Sequence, residues 1–214
     1  MAELFEIPNG CEVLSILDPG AGSGILSIAL LERLQSFSVI KEIRLVCYEN
    51  DPNIMELLRT NLETACSYSQ QEISYEIVPD NYILSQSNDY NLMLGANLNP
   101  EKFDFIIGNP PYMKIAKNTP EALAMPDVCY GAPNLYFLFA SMSLFNLKDD
   151  GEMVYIIPRS WTSGAYFKRF RQKFLNEVLW SISTCLLAEI RSLKKKVYCR
   201  KPIIIKLKKN APKT

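Results

Sequence analysis

Asn109-Pro110-Pro111-Tyr112 follows directly on the apolar run "FDFIIG" of residues 103–108. Neither proline has an N–H, each fixes its own φ, and a residue before a proline is pushed to extended backbone. A stiff loop leaving a strand near Gly108 is the expected result. The Asn109 side-chain carbonyl and the Pro110 backbone carbonyl are then two acceptors held together, which suits a planar NH2 group with two hydrogens to donate. Accepting both hydrogens turns the nitrogen lone pair outward, while Tyr112 offers a π-face to a planar group. An amine held this way needs no general base before it attacks. The chain contains no histidine, the commonest base and metal ligand.

A second cluster lies upstream in "DPGAGSG", Asp18-Pro19-Gly20-Ala21-Gly22-Ser23-Gly24. A glycine-rich turn between a strand and a helix brings backbone close to a ligand and presents free N–H groups. The same glycines also suit a plain tight turn. Glu49 ends the next strand-like run, where a nucleoside-binding α/β fold places a carboxylate on ribose hydroxyls. Asp80, after a third such run, is placed to reach an adenine amino group, although Asp80-Asn81 is equally a turn former. Together these residues point to a nucleoside cofactor. An amine attacking in line then implies a methyl sulfonium as the electrophile, with positioning and electrostatics supplying the rate.

The elements that must position these residues alternate in type. Apolar runs at 13–18, 43–49, 72–78, 103–108 and 151–158 are strand-like, and helical spacing follows Gly24, Asp51-Pro52 and Asn134. Asp51 with Pro52 forms an N-cap and N1 pair. A further helix is expected over 164–179 and a last strand at 203–208. Strands alternating with helices predict a mostly parallel sheet covered on both faces, with the site at the strands' carboxyl ends. Residues 81–102 and 113–133 are expected to be long irregular loops. Phe137 and Phe139 are better assigned to core packing than to a pocket wall.

Composition sets wider bounds. The 214 residues are 48% hydrophobic and 21% charged, with 23 basic and 23 acidic side chains. No apolar run approaches the roughly 20 residues that span a bilayer. The six cysteines are scattered without a C-x-x-C pair, which argues against a zinc site or disulfide framework and predicts a cytoplasmic protein with no bound metal. Basic residues dominate from Arg159 onward, as suits a phosphate backbone or a solvated tail.

The combined set of "DPGAGSG", Glu49, Asp80 and Asn109-Pro110-Pro111-Tyr112 resembles the class I S-adenosylmethionine-dependent amino-methyltransferases. In particular it resembles the N6-adenine DNA methyltransferases of type II and type IIG restriction–modification systems. The likeness extends through "GAPNLYFLFASMSLFNLKDDGEMVYIIPRSWTSGAYFKRFRQ" and covers roughly residues 13 to 176. It implies a Rossmann-like class I fold, with a catalytic domain over 1–176 and an atypical basic segment over 177–214. Asp18, Pro19, Gly20, Gly22 and Gly24 would hold the methionine end of S-adenosylmethionine, Glu49 its ribose and Asp80 its adenine. Asn109, Pro110, Pro111 and Tyr112 would hold an adenine flipped from double-stranded DNA. A specificity subunit or cognate restriction endonuclease is the implied partner.

The sequence departs from that pattern in three places. Only about a dozen residues precede the first strand, so the family's N-terminal lid segment is expected to be lacking, as is a target-recognition domain. Residues 178–202, "VLWSISTCLLAEIRSLKKKVYCRKP", stand where the family carries a His-x-Phe element. Compensating frameshifts or a divergent amphipathic helix would each produce that stretch, and the DNA sequence decides between them. Alternative readings are a non-catalytic remnant, a partner-dependent subunit, or an enzyme acting on a protein glutamine or on N2 of an rRNA guanine.

Overall fold

In the computed structural model the described residues are 1–92, 101–129, 133–162, 167–180 and 202–210. Seven strands form one sheet in the order β3-β2-β1-β4-β5-β7-β6. They are β1 (Val13–Asp18), β2 (Glu42–Tyr48), β3 (Glu72–Val78), β4 (Phe103–Gly108), β5 (Leu147–Pro158), β6 (Val178–Trp180) and β7 (Pro202–Lys209). Strands β1 to β5 are parallel and β7 runs antiparallel between β5 and β6. The order reverses between β1 and β4, the switch point at which open α/β sheets bind ligands.

Both faces of the sheet are buried, as the continuous apolar runs require. Leu17, Ile106, Met153 and Tyr155 pack on one face against α5 (Leu135–Asn146) and α6 (Lys168–Glu177). Their alternates Ile16, Phe105, Ile107 and Val154 pack on the other, beneath α1 (Ile25–Leu34) and α2 (Pro52–Ser67). The first residues join that second face: Phe5 stacks 4.6 Å from Phe105, and Arg33 donates to the carbonyls of Ala2 and Phe5. Helix α2 starts as expected, with the Asp51 side chain accepting from Asn53 N at 2.9 Å and Pro52 in the first turn.

Four expectations change. The stretch 81–102 is not irregular throughout, because Tyr82–Leu92 forms helix α3. "YILSQSNDYNL" is poor in strong helix formers, so its helicity comes from tertiary burial of Tyr82, Ile83 and Tyr90. The stretch 113–133 contains a short helix α4 at Pro120–Ala124. Strand β5 begins at Leu147, four residues early, and its pairing with β4 is irregular where Asp150 takes a φ of 60°. The final strand occurs where it was placed and extends one residue further at each end. Helix α6 ends at Glu177, two residues short of the expected 179, because Val178–Trp180 pairs with β7 as β6; most of 178–202 lies outside the described residues.

Gly24 caps α1 with a φ of 83°, and a Cβ there would sit 2.7 Å from Leu58 Cδ1. Leu58 is fully buried and has no room to yield. Gly24→Ala is therefore expected to destabilise the fold by about 2 kcal/mol, from left-handed backbone strain and overpacking. Chemical denaturation measures this directly.

Candidate active site

The carboxyl ends of β1 to β4 open into one cavity of about 500 Å³. Pro19, Gly20 and Gly22 enter it from the glycine turn, Glu49 and Asp80 from the ends of β2 and β3, and Asn109 and Pro111 from the end of β4. A Cβ at Gly22 would meet nothing within 4 Å, so the space beside its Cα is open to a ligand. Asp18, Gly24, Pro110 and Tyr112 are absent from the cavity wall.

Glu49 organises the turn. Its Oε2 accepts from Gly22 N at 2.9 Å and its Oε1 from Asp51 N at 2.8 Å. Ala21 N donates to the Tyr48 carbonyl at 2.9 Å, tying the same turn to β2. Both carboxylate oxygens are thus fixed in direction, and each keeps a lone pair for a hydroxyl. Two acceptor oxygens fixed in direction at the cavity wall would suit the two hydroxyls of a diol.

Asp18 lies beneath the turn, almost fully buried. Its Oδ2 accepts from the Ser27 hydroxyl at 2.7 Å. Burial pushes this carboxyl up to about 7, opposed by the Ser27 hydroxyl and the Gly20 backbone N–H, with the nearby Glu49 charge adding to the rise. A carboxyl whose folded pKa lies above its unfolded value of about 3.9 holds its proton preferentially in the folded state. The contribution of this group to stability without ligand is then fully present below about pH 4 and is lost as pH rises through about 7. Asp18→Asn should flatten that slope, a result readable from denaturation midpoints across the range.

At the β4 end, Asn109 is exposed, Pro110 is buried and the Tyr112 ring is 41% exposed. The Tyr112 hydroxyl lies 2.8 Å from both Asn109 Oδ1 and the Ile156 carbonyl, and the ring meets Tyr136 edge-on at 6.2 Å. Tyr112 thereby orients Asn109, whose Oδ1 retains a second lone pair. Burial raises the Tyr112 phenol to about 12, so it remains a donor at neutral pH.

Several wall residues carried no sequence signal of their own. Phe139 lines the cavity although its sequence pattern suggested core, whereas its neighbour Phe137 is core, 1% exposed. Tyr48 and Tyr82 supply further aromatic wall. Asn81 and Glu121 close the end nearest Asp80. Asn81 was legible as a turn residue; Glu121 arrives from α4, forty residues away, and only the tertiary structure brings it in.

A family model of the Eco57I restriction-modification methylase matches residues 34–183. The type II methyltransferase M.PstI of Providencia stuartii is 35% identical over 184 residues, covering 83% of this chain and 34% of that protein. M.BsuBI of Bacillus subtilis is 34% identical over 166 residues, covering 76% and 32%. The chain thus spans about a third of the length of the curated relatives it matches. Among solved structures, a Listeria monocytogenes protein assigned to the class I S-adenosylmethionine-dependent methyltransferases superposes with a TM-score of 0.64 at 16% identity, over 95% of this chain and 55% of that one. The type IIG restriction endonuclease BpuSI gives 0.59 at 18% identity, over 92% and 22%. At these identities the structural likeness establishes the fold, the Rossmann-like class I methyltransferase fold.

Proposed function

The chain belongs to the Eco57I restriction-modification methylase family, and on that premise we propose that it methylates N6 of an adenine flipped out of double-stranded DNA, using S-adenosylmethionine. One observation carries this reading: the glycine turn with Glu49, and the Asn109 loop, open into the same cavity. A nucleoside-sized ligand fits about 500 Å³. The residues present suit S-adenosylmethionine, with a preset carboxylate for its ribose, open space beside Gly22 and aromatic wall at Phe139.

When bound, that cofactor supplies an electrophilic methyl group on a sulfonium. Glu49 would accept the ribose hydroxyls and Asp80 the adenine amino group. Asp18 would act from below, holding the turn through Ser27. Asn109 Oδ1 and the Pro110 carbonyl would accept the two hydrogens of the target amine and turn its lone pair towards the methyl carbon. Formation of the N–C bond would be balanced by loss of the S–C bond, and the extra proton on the nitrogen would pass to solvent afterwards. Tyr112 would keep Asn109 aimed and meet the flipped base. Rate comes from positioning and fixed dipoles, worth several orders of magnitude without a proton-transfer residue.

A cytoplasmic location and a cognate restriction endonuclease as cellular companion accompany this proposal. Among the described residues, no helix is long and apolar enough to cross a membrane. Incubation with tritiated S-adenosylmethionine and unmethylated DNA, bulk RNA or total protein tests the substrate class. Label in DNA alone is expected. Label confined to RNA or protein would move the reading to a guanine N2 or a glutamine amide, which also present a planar NH2.

A further inference from the structure

Glu121 sits in the cavity wall beside Asp80 and Asn81, yet it comes from the segment that follows the Asn109 loop. The hydrogen bonds there leave a definite pattern. Asn81 Oδ1 accepts from Ile83 N and Leu84 N at 3.1 and 3.2 Å, so it is committed to the start of α3. Asn81 Nδ2 donates to Glu121 Oε1 at 2.9 Å. Asn81 Oδ1 therefore has both lone pairs committed within the protein and offers a ligand no acceptor, while Nδ2 has one of its two hydrogens committed to Glu121. The second oxygen of Glu121 and the carboxylate of Asp80 are the side-chain acceptors that this end of the cavity offers a ligand. The Phe139 ring supplies a flat apolar surface in the same wall.

We infer that Glu121 is a specificity-determining residue for the cofactor's base, providing with Asp80 a second acceptor at its amino edge. An adenine carries a two-hydrogen donor at that edge, matching two acceptors. A purine with an oxo group there would face two carboxylates with an acceptor and be rejected, because an acceptor opposite an acceptor leaves both desolvated without a bond. The Asn81 bond fixes the direction of the Glu121 carboxylate. It also anchors α4 over the base end, so the segment after the Asn109 loop is fastened where the cofactor binds. This assignment rests on the S-adenosylmethionine reading above, and deepens it.

The test compares binding of S-adenosylhomocysteine with its hypoxanthine counterpart, S-inosylhomocysteine, by calorimetry on the full chain. The parent should prefer the adenine compound by at least about tenfold, the scale of one hydrogen bond to a charged group. Glu121→Gln places an NH2 where the acceptor was and should narrow that ratio by about tenfold. Leu123→Ala, on the exposed side of α4, should leave the ratio at the parent value and so control for disturbance of the helix. An unchanged ratio in Glu121→Gln, with both compounds weakened equally or not at all, would assign Glu121 a purely structural role and overturn the inference. A parent protein that binds neither compound would instead sink the cofactor reading itself, and this inference with it.

Discussion

Asn109→Ala is expected to lower methyl transfer by about 10²–10³-fold, the range seen when one preorganised hydrogen-bonding partner is removed from a reacting group. The loss should fall on kcat, because the acceptor does most when the nitrogen lone pair is forced out of conjugation. Folding should be spared: Asn109 is exposed, and its one side-chain contact among the hydrogen bonds described is the Tyr112 hydroxyl. That hydroxyl keeps its second acceptor at Ile156, also 2.8 Å away. Single-turnover rates with saturating cofactor, read beside the melting temperature, separate the two effects. A variant that melts early would show that the loop is structural; one that melts normally and turns over normally would remove Asn109 from the chemistry.

The largest stability effect is expected far from the cavity. Lys206 of β7 is 3% exposed and lies 3.0 Å from Glu152 of β5, itself 5% exposed, and 2.7 Å from Glu6. Glu152 also accepts from Glu6 N at 2.8 Å. These bonds fasten the first residues and the antiparallel strand to the parallel sheet. Lys206→Met leaves the Glu152 carboxylate buried without its cation, which costs about 3–5 kcal/mol. The melting temperature should drop by roughly 10 °C on the entropy scale of a domain this size. Adding Glu152→Gln removes the stranded charge and should recover most of that loss, since a buried pair is worth far less than the penalty for breaking it. A single variant as stable as the parent would mean that water reaches this ion pair.

How much of this was legible in the chain depends on the range of the interaction. Asp51-Pro52, the glycine turn and the apolar runs act over a few residues. Their elements fell where local patterning put them, three of the strands to the residue. Strand ends also placed Glu49, Asp80 and Asn109 around one opening, because parallel strands deliver their carboxyl ends to one edge. Helix α3 escaped notice because Tyr82 and Tyr90 become helical by packing, not by propensity. Tyr112 was legible as a stacking face, but the turn of its hydroxyl onto Asn109 and Ile156 was not. Nor did the chain show that Asp18 would be buried beneath the turn with its carboxyl bonded to Ser27. Glu121 and the Lys206 cluster join residues 40 and up to 200 positions apart, and no short-range pattern announces such pairings.

The most direct test of the account is the identity of the methylated base. Unmethylated DNA treated with the protein and S-adenosylmethionine would be digested to nucleosides and resolved by mass spectrometry. N6-methyldeoxyadenosine, formed about 10²–10³-fold more slowly by Asn109→Ala, is the predicted product. Methyl groups on cytosine, or none in DNA despite a folded protein that binds the cofactor, would contradict it.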